Sequence, residues 1–317
     1  MKKLCTVILC ILWCFAASVG FAEAQNLIAN PDFAGSAPGK APQNWRYQGK
    51  DVNYEVVESG DGFAMRLSSE KKTRGFVVQN RVPVKNGGTY AIGVRYRGKP
   101  GARVWYYVER GKPQWSGCIR LVCREYWQIS WQKVKIPMQG TAPHVAMVLM
   151  DGNGWCEFTD PQIIEFADPA NGNLLLNADF SVTASVGGKT VPVLWNALNN
   201  AEVEVLTDGD GKLLRMNCIA GRSHLTQWSL PVVKGKSYIL SMKYRGAPGA
   251  GMLFGVERGK PYWKQLKRIK CTDKWQRAEV RFTVPAGAGG VPYAVFSTDP
   301  GDGYVELAEL KLLPAEE

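Results

Sequence analysis

Along most of the chain, apolar and polar residues alternate one by one over short runs, and glycine, proline, asparagine or aspartate separates the runs. Alternation with a period of two marks a strand with one buried face. Tyr90, Ile92, Val94 and Tyr96 fall on one side of such a run, and Ala91, Gly93, Arg95 and Arg97 on the other. The next run sets Val104, Tyr106 and Val108 against Trp105, Tyr107 and Glu109. A later one sets Gln128, Ser130, Gln132, Val134 and Ile136 against Trp127, Ile129, Trp131, Lys133 and Lys135. Gly60-Asp61-Gly62 and Asp208-Gly209-Asp210-Gly211 lie between strand-like runs and predict hairpin turns. No window predicts an amphipathic helix longer than a turn or two.

The pattern occurs twice. Tyr96-Arg97-Gly98 recurs as Tyr244-Arg245-Gly246, and Val108-Glu109-Arg110-Gly111-Lys112-Pro113 recurs as Val256-Glu257-Arg258-Gly259-Lys260-Pro261. Trp115, Cys123 and Trp127 recur as Trp263, Cys271 and Trp275, all at one offset of 148 residues. Asn26-Leu27 with Asn30, Asp32 and Phe33 matches Asn173-Leu174 with Asn177, Asp179 and Phe180. A unit of this length is a whole domain, because solenoid repeats run about 20–50 residues. The break falls in the polar run Asp168-Pro169-Ala170-Asn171-Gly172. The expected division is residues 1–24 as a signal segment, 25–167 as the first domain and 168–317 as the second. Short alternating strands with Gly/Pro turns predict an all-β fold of two tandem antiparallel β-sandwiches.

Composition changes this picture in three ways. Lys2 and Lys3, the apolar run from Leu4 to about Ser18 and the small-x-small site Ala22-Glu23-Ala24 predict a secretory signal peptide, cleaved before Gln25. The apolar run is short for a membrane span, so no membrane insertion is expected after cleavage and the expected location is secreted, periplasmic or cell-surface. Three of the eight cysteines leave with that segment. Cys118, Cys123, Cys156, Cys218 and Cys271 remain, an odd number in an oxidising compartment. Cys218–Cys271 is the expected bridge of the second domain; Cys118–Cys123 and Cys123–Cys156 are both open in the first. The net charge of +11 falls to about +10 when Lys2, Lys3 and Glu23 are lost. A positive field attracts polyanions, and acidic glycans are the natural candidates outside the cell.

The opening Asn-Leu-x-x-Asn-x-x-Phe, with Trp45 or Trp195 following about 20 residues later, and Trp127 and Trp275 before a strand, resemble the carbohydrate-binding modules of the cellulose- and xylan-binding type. These are the CBM 4/9-like sandwiches with a galactose-binding-like jelly-roll fold. The resemblance covers both units and implies a polysaccharide or glycan partner, not nucleic acid. It makes Trp45, Trp127, Trp195 and Trp275 scaffold residues. It also implies a structural calcium, held partly by an acidic residue after the opening Phe. Ala34 and Ser181 stand there instead, which leaves Asp32, Asp160, Asp179 and Glu309 as the oxygen ligands still available and no cofactor as the main expectation.

A sugar ring has an apolar C–H face and a rim of hydroxyls, so a site needs flat aromatics and fixed polar partners. Trp105, Tyr107 and Trp131, with Arg95, Arg97, Glu109 and Lys133, supply that set on the outward strand positions of the first unit. The second unit has Leu253, Gly255 and Glu279 at the aromatic positions but keeps Lys243, Arg245 and Glu257, so the first unit is the expected main binder. Trp115 and Trp263 follow Gly-Lys-Pro turns and either line a loop site or pin the loop. Arg110 and Arg258 sit in the same repeated basic turn and suit a uronate or sulfate, or a solvated hairpin tip. The two histidines, His144 and His224, occupy unrelated positions in the units, and no phosphate loop or dinucleotide fingerprint occurs, so no enzyme is expected. The alternatives are a structural or adhesive surface protein and, less so, an accessory part of a glycoside hydrolase system.

Overall fold

The computed structural model describes residues 24–37, 40–60, 62–110, 115–140, 144–168, 172–209, 211–219, 221–258, 262–301 and 303–315. Apart from Ala24, the segment expected to be a signal peptide lies outside the described residues, as do the Gly-Lys-Pro turns at 111–113 and 259–261 and the centre of the connector at 169–171.

The first unit runs β1 (Arg46–Gln48), β2 (Asn53–Glu58), β3 (Phe63–Val82), β4 (Thr89–Gly98), β5 (Arg103–Arg110), β6 (Trp115–Val122), β7 (Gln128–Lys135) and β8 (His144–Glu165). The second runs β9 (Thr183–Val186), β10 (Lys189–Pro192), β11 (Asn196–Leu198), β12 (Val203–Asp208), β13 (Gly211–Asn217), β14 (His224–Gln227), β15 (Ser237–Gly246), β16 (Gly251–Arg258), β17 (Trp263–Lys270), β18 (Gln276–Thr283), β19 (Pro292–Thr298) and β20 (Tyr304–Pro314). Every pairing is antiparallel.

Each unit is a two-layer sandwich with the same strand order. In the first, β3 and β8 are long enough to serve both layers. Met65–Ser69 pairs with Gly154–Phe158 in one layer, and Thr73–Val82 pairs with His144–Gly152 in the other. Layer one therefore reads β2-β3-β8-β4-β7, and layer two β1-β3-β8-β5-β6. The second unit cuts those long strands in two and gives β12-β13-β20-β15-β18 and β11-β14-β19-β16-β17. The predicted alternation holds. Tyr90, Ile92, Val94 and Tyr96 meet Val104, Tyr106 and Val108 in one core; Leu240, Met242, Phe254, Val256, Val280 and Phe282 fill the other.

The repeated sequence landmarks are latches. Asn26 accepts from the Ile28 and Ile163 amides and donates to the Pro161 carbonyl; Asn173 does the same with Leu175, Leu312 and Leu310. Gln79 clamps both backbone groups of Ala29, as Gln227 clamps those of Leu176. The indoles of Trp45 and Trp195 donate to the Asn30 and Asn177 carbonyls, each at 3.1 Å. Buried amides with all partners met give the opening loop one geometry. The left-handed residues repeat as well: Asn30 and Asn177 both have φ 49°, and Phe33 and Phe180 both have φ 55°.

The units join edge to edge. Ala197 of β11 pairs with Ile129 of β7, and the Asn196 side chain accepts from the Trp131 amide. Ala91, Trp131, Ile164 and Phe166 pack into the apolar cluster of the second unit. The β9–β10 hairpin lies on the same face, where the Gly187 amide donates to Asp160 at 3.0 Å and Gln162 donates to the Ser185 carbonyl.

All five cysteines of the described residues are free thiols, so the bridge expected between Cys218 and Cys271 is not formed. Cys218 follows β13 and Cys271 follows β17, yet the two lie within electrostatic reach of each other, as Cys123 and Cys156 do. Burial raises the thiol of Cys123 to about 12 and that of Cys271 to about 11, and pushes Cys156 well above its ordinary value. A protonated, buried thiol reacts slowly. Alkylation of the reduced, folded chain at pH 8 is therefore expected to label half-buried Cys118 first and to spare Cys123 and Cys156 until the chain is unfolded, read by peptide mass spectrometry. Equal labelling of Cys118 and Cys156 would contradict the closed core.

Candidate functional site

The outer face of layer two in the first unit carries the aromatics of β5. Because β5 alternates, Val104, Tyr106 and Val108 point into the core and Trp105, Tyr107 and Glu109 point out. Trp105 and Tyr107 stack on each other with ring centroids 5.8 Å apart and planes 16° from parallel. Both are half-exposed. Arg120, opposite Trp105 on β6, lays its guanidinium over the indole at 4.6 Å. Arg74 and Asp151 pair at 3.5 Å at one end of the face, where Arg74 acts on Tyr107 together with Arg120. Burial raises the Tyr107 hydroxyl above its ordinary value, first among several causes, so it stays a neutral donor at physiological pH. Phe76 and Val78 of β3 lie in the same cross-strand rows as Trp105 and Tyr107, through the backbone register of β8 at positions 149 and 147. The result is a stacked aromatic platform on the outer face, with a fixed cation on one ring and a carboxylate, Glu109, along the strand.

The structure divides the predicted set. Arg95, Arg97, Trp131 and Lys133 belong to β4 and β7 in layer one, so they lie on the opposite side of the sandwich from Trp105, Tyr107 and Glu109. Alternation separates inside from outside but does not say which layer a strand joins. Trp131, expected to be exposed, is 4% exposed because the second unit covers it. Arg95 and Arg97 lie over Trp127 at 4.5 and 4.6 Å, and Arg97 also binds buried Glu157 at 2.6 Å. Their partners in the second unit repeat this: Arg245 lies over Trp275 at 4.4 Å and binds Glu306 at 2.5 Å. Trp127 and Trp275 are thus half-exposed supports for cations, not core residues.

Arg110 and Arg258 are each 1% exposed, so neither is a solvated hairpin tip. Each follows its strand's inward side, and Arg110 donates to Asn86 at 3.0 Å. Trp263 packs on Phe282 at 5.7 Å. Trp115 begins β6, paired with Arg110; its side chain lies outside what is described.

The same outer face of the second unit is built differently. Leu253 and Gly255 replace Trp105 and Tyr107. A Cβ on Gly255 would sit 2.0 Å from the Gln265 carbonyl, so that position takes no side chain. Glu257 accepts from the Tyr293 hydroxyl at 2.8 Å, and Tyr293 neighbours exposed Trp228 at 5.9 Å. Trp228 and Tyr293, like Arg120, carry ring or charge on an outer face but escaped the sequence reading. Trp228 lies just past the end of β14, and the strands of Tyr293 and Arg120 are short runs beside turns.

The possible oxygen ligands are engaged elsewhere. Asp160 accepts from Gly187, Asp179 from the Ser181 amide and hydroxyl, and Asp32 from the Ala34 amide. Glu309 pairs with Arg277 and Lys243, which hold its carboxyl below the ordinary value, Arg277 foremost. Among the described residues no group of three His, Cys, Asp or Glu side chains is placed to hold a metal ion. No helix of the described residues is long and apolar enough to cross a membrane.

No protein-family model matches the sequence, and no curated protein matches it. Solved structures similar to the chain include the N-terminal CBM22-1–CBM22-2 tandem domain of Paenibacillus barcinonensis Xyn10C, at 13% identity over 92% of this chain and 98% of that one, with a TM-score of 0.36. A second is TmCBM61 in complex with β-1,4-galactotriose, at 18% identity over 45% of this chain and all of that one, TM-score 0.35. A third is a CBM4 structure at 16% identity over 44% of this chain and 98% of that one, TM-score 0.33. The chain is an antiparallel β-sandwich protein, and the solved structures similar to it include carbohydrate-binding modules.

Proposed function

We propose that the chain is a secreted, non-catalytic carbohydrate-binding protein whose first unit holds a polysaccharide on the Trp105–Tyr107 platform. The observation that carries this reading is the near-parallel stacking of two half-exposed rings with Arg120 fixed over one of them. A pair of near-parallel aromatic rings offers apolar surface to the C–H groups of a sugar, and the guanidinium and Glu109 are placed to meet hydroxyl or acidic groups. Arg74, Arg120 and the basic net charge support an acidic glycan. The second unit, with Gly255 at the platform's centre, offers no equivalent stack.

Affinity electrophoresis in gels cast with neutral and with uronate-rich polysaccharides tests the reading. The expected result is retardation in the uronate-rich gel that weakens as salt rises. Retardation indifferent to salt would replace the acidic glycan by a neutral one. No retardation in any gel would overturn the reading in favour of a protein-contact role, and release of reducing ends from the same polysaccharides would overturn the non-catalytic assignment.

A further inference from the structure

Glu257 is the counterpart of Glu109, and the row of residues that crosses the sheet at this carboxylate differs between the units. In the first unit the register sets Asn80, Val145, Glu109 and Ser116 side by side on β3, β8, β5 and β6. In the second, Trp228 just past β14 comes beside Tyr293, Glu257 and Lys264 of β19, β16 and β17. Two aromatic rings and a cation thus stand where the first unit has none. Alternation turns the row outward, because Leu225, Ala294 and Val256 take the inward places. Tyr262 lies just before β17, and the Lys264 ammonium sits over its ring at 5.6 Å. Trp228 and Tyr262 are 56% and 65% exposed, so burial does not hold them. Hydrogen bonds fix the row instead. The Trp228 N–H donates to the Thr226 hydroxyl and the Tyr293 hydroxyl donates to Glu257, each at 2.8 Å. The Trp228 and Tyr293 rings lie 5.9 Å apart with planes at 30°. Burial first, then the bond to Glu257, pushes the Tyr293 hydroxyl well above its ordinary value, so it remains a protonated donor. Single apolar side chains on a surface need no explanation, but neighbouring exposed aromatics mark a contact surface.

We propose that this row is a second saccharide site, carried by the second unit, and that it takes an uncharged sugar chain laid across the strands. The proposal rests on the reading of the chain as a carbohydrate binder but uses none of the Trp105–Tyr107 residues. The rings offer apolar surface to the C–H groups of a sugar. The Glu257 carboxylate and the Lys264 ammonium, cross-strand neighbours, supply an acceptor and donors for its hydroxyls. Charge sets the class. A fixed carboxylate stands in the middle of the row, so a uronate or sulfate laid over it meets like charge. Lys264 offsets that carboxylate without exceeding it, so the row has no surplus positive charge to draw a polyanion. The first unit differs here, with the Arg120 guanidinium over the Trp105 ring. Position 255 accounts for the shift in place. It takes no side chain, so the second unit has its rings beside the glutamate and not farther along β16.

The test runs the full chain in gels cast with neutral β-glucan, arabinoxylan, galactan or mannan, beside the uronate-rich gel. The unaltered chain is expected to be retarded in at least one neutral gel, with little dependence on salt. Trp228→Ala should weaken that binding by about tenfold, while the double change Trp105→Ala with Tyr107→Ala should leave it within about twofold. In the uronate-rich gel the two variants are expected to exchange behaviour. Tyr293→Phe keeps the ring, releases Glu257 and should weaken neutral binding by roughly threefold, so the site is tested even where the alanine variant melts early. An unaltered chain retarded in no neutral gel, or neutral retardation that survives both Trp228→Ala and Tyr293→Phe, overturns the site. Loss confined to the uronate-rich gel overturns its assignment to an uncharged sugar. A sedimenting dimer that Trp228→Ala turns into monomers gives the row to a contact between copies instead. Retardation in a neutral gel but not in the uronate-rich one would strike the platform and leave this site standing, and the reverse would strike this site alone.

Discussion

Replacing Trp105 and Tyr107 together by alanine is expected to weaken polysaccharide binding by about 3 kcal/mol, roughly two orders of magnitude in Kd, while the cooperative melt moves little. The two rings are half-exposed on the outer face, and the core beneath them is made by Val104, Tyr106 and Val108, which the double change does not touch. Removing them also frees Arg120 from its ring, so the cation loses its fixed position along with the stacking surface. Arg120→Ala alone should cost less with a neutral polysaccharide than with an acidic one, because its charge, not its area, is then lost. Isothermal titration separates these effects. An Ala–Ala variant that binds within twofold of the parent, with an unchanged melt, would show that the ligand lies elsewhere.

What could be read ahead of the structure follows from how local each signal is. The inward set Tyr90, Ile92, Val94 and Tyr96 was visible because alternation is a property of one strand. The duplication was visible because Asn26 and Trp45 and their counterparts each do the same structural job twice; the matching clamps of Gln79 and Gln227 were not read from the sequence. The face of Trp131 was not visible. Trp105 and Trp131 both oppose core residues on their own strands, yet β5 and β7 end in different layers, and that depends on the bends of β3 and β8. Arg110 failed for another reason. It continues the inward parity of Val104, Tyr106 and Val108, but the alternation was not extended to it, because charge and a neighbouring Gly-Lys-Pro turn argued for a ligand contact or solvent. Trp228 lies just beyond a four-residue strand, too short to show a period.

Changing Glu306 to glutamine is expected to destabilise the second unit by about 2–3 kcal/mol, since a buried carboxylate that accepts charge-assisted hydrogen bonds from two arginines is lost. Glu306 is 1% exposed and accepts from Arg215 at 3.0 and 2.5 Å and from Arg245 at 2.5 Å. Arg215 also lies over Tyr304 at 4.5 Å and Arg245 over Trp275, so both guanidinium groups rest against rings, while their side chains remain 39% and 29% exposed. Burial acts to raise the Glu306 carboxyl, but hydrogen bonds and charge from Arg245 and Arg215 outweigh it and leave its pKa below the ordinary 4.5. The unfolded chain therefore takes up this proton at a higher pH than the folded one. The stability contributed by the pair is complete above that unfolded value and is lost as pH falls through the folded one. Glu306→Gln should accordingly flatten the acid limb of a stability–pH curve that the parent shows below about 4.5. Glu309→Gln serves as the control. Its pairs with Arg277 and Lys243 are exposed, and the change should cost under about 1 kcal/mol. Urea unfolding followed by Trp fluorescence from pH 3 to 7 measures both. A Glu306→Gln variant as stable as the Glu309→Gln control, or one with the parent's acid limb, would mean that the two arginines do not depend on this carboxylate.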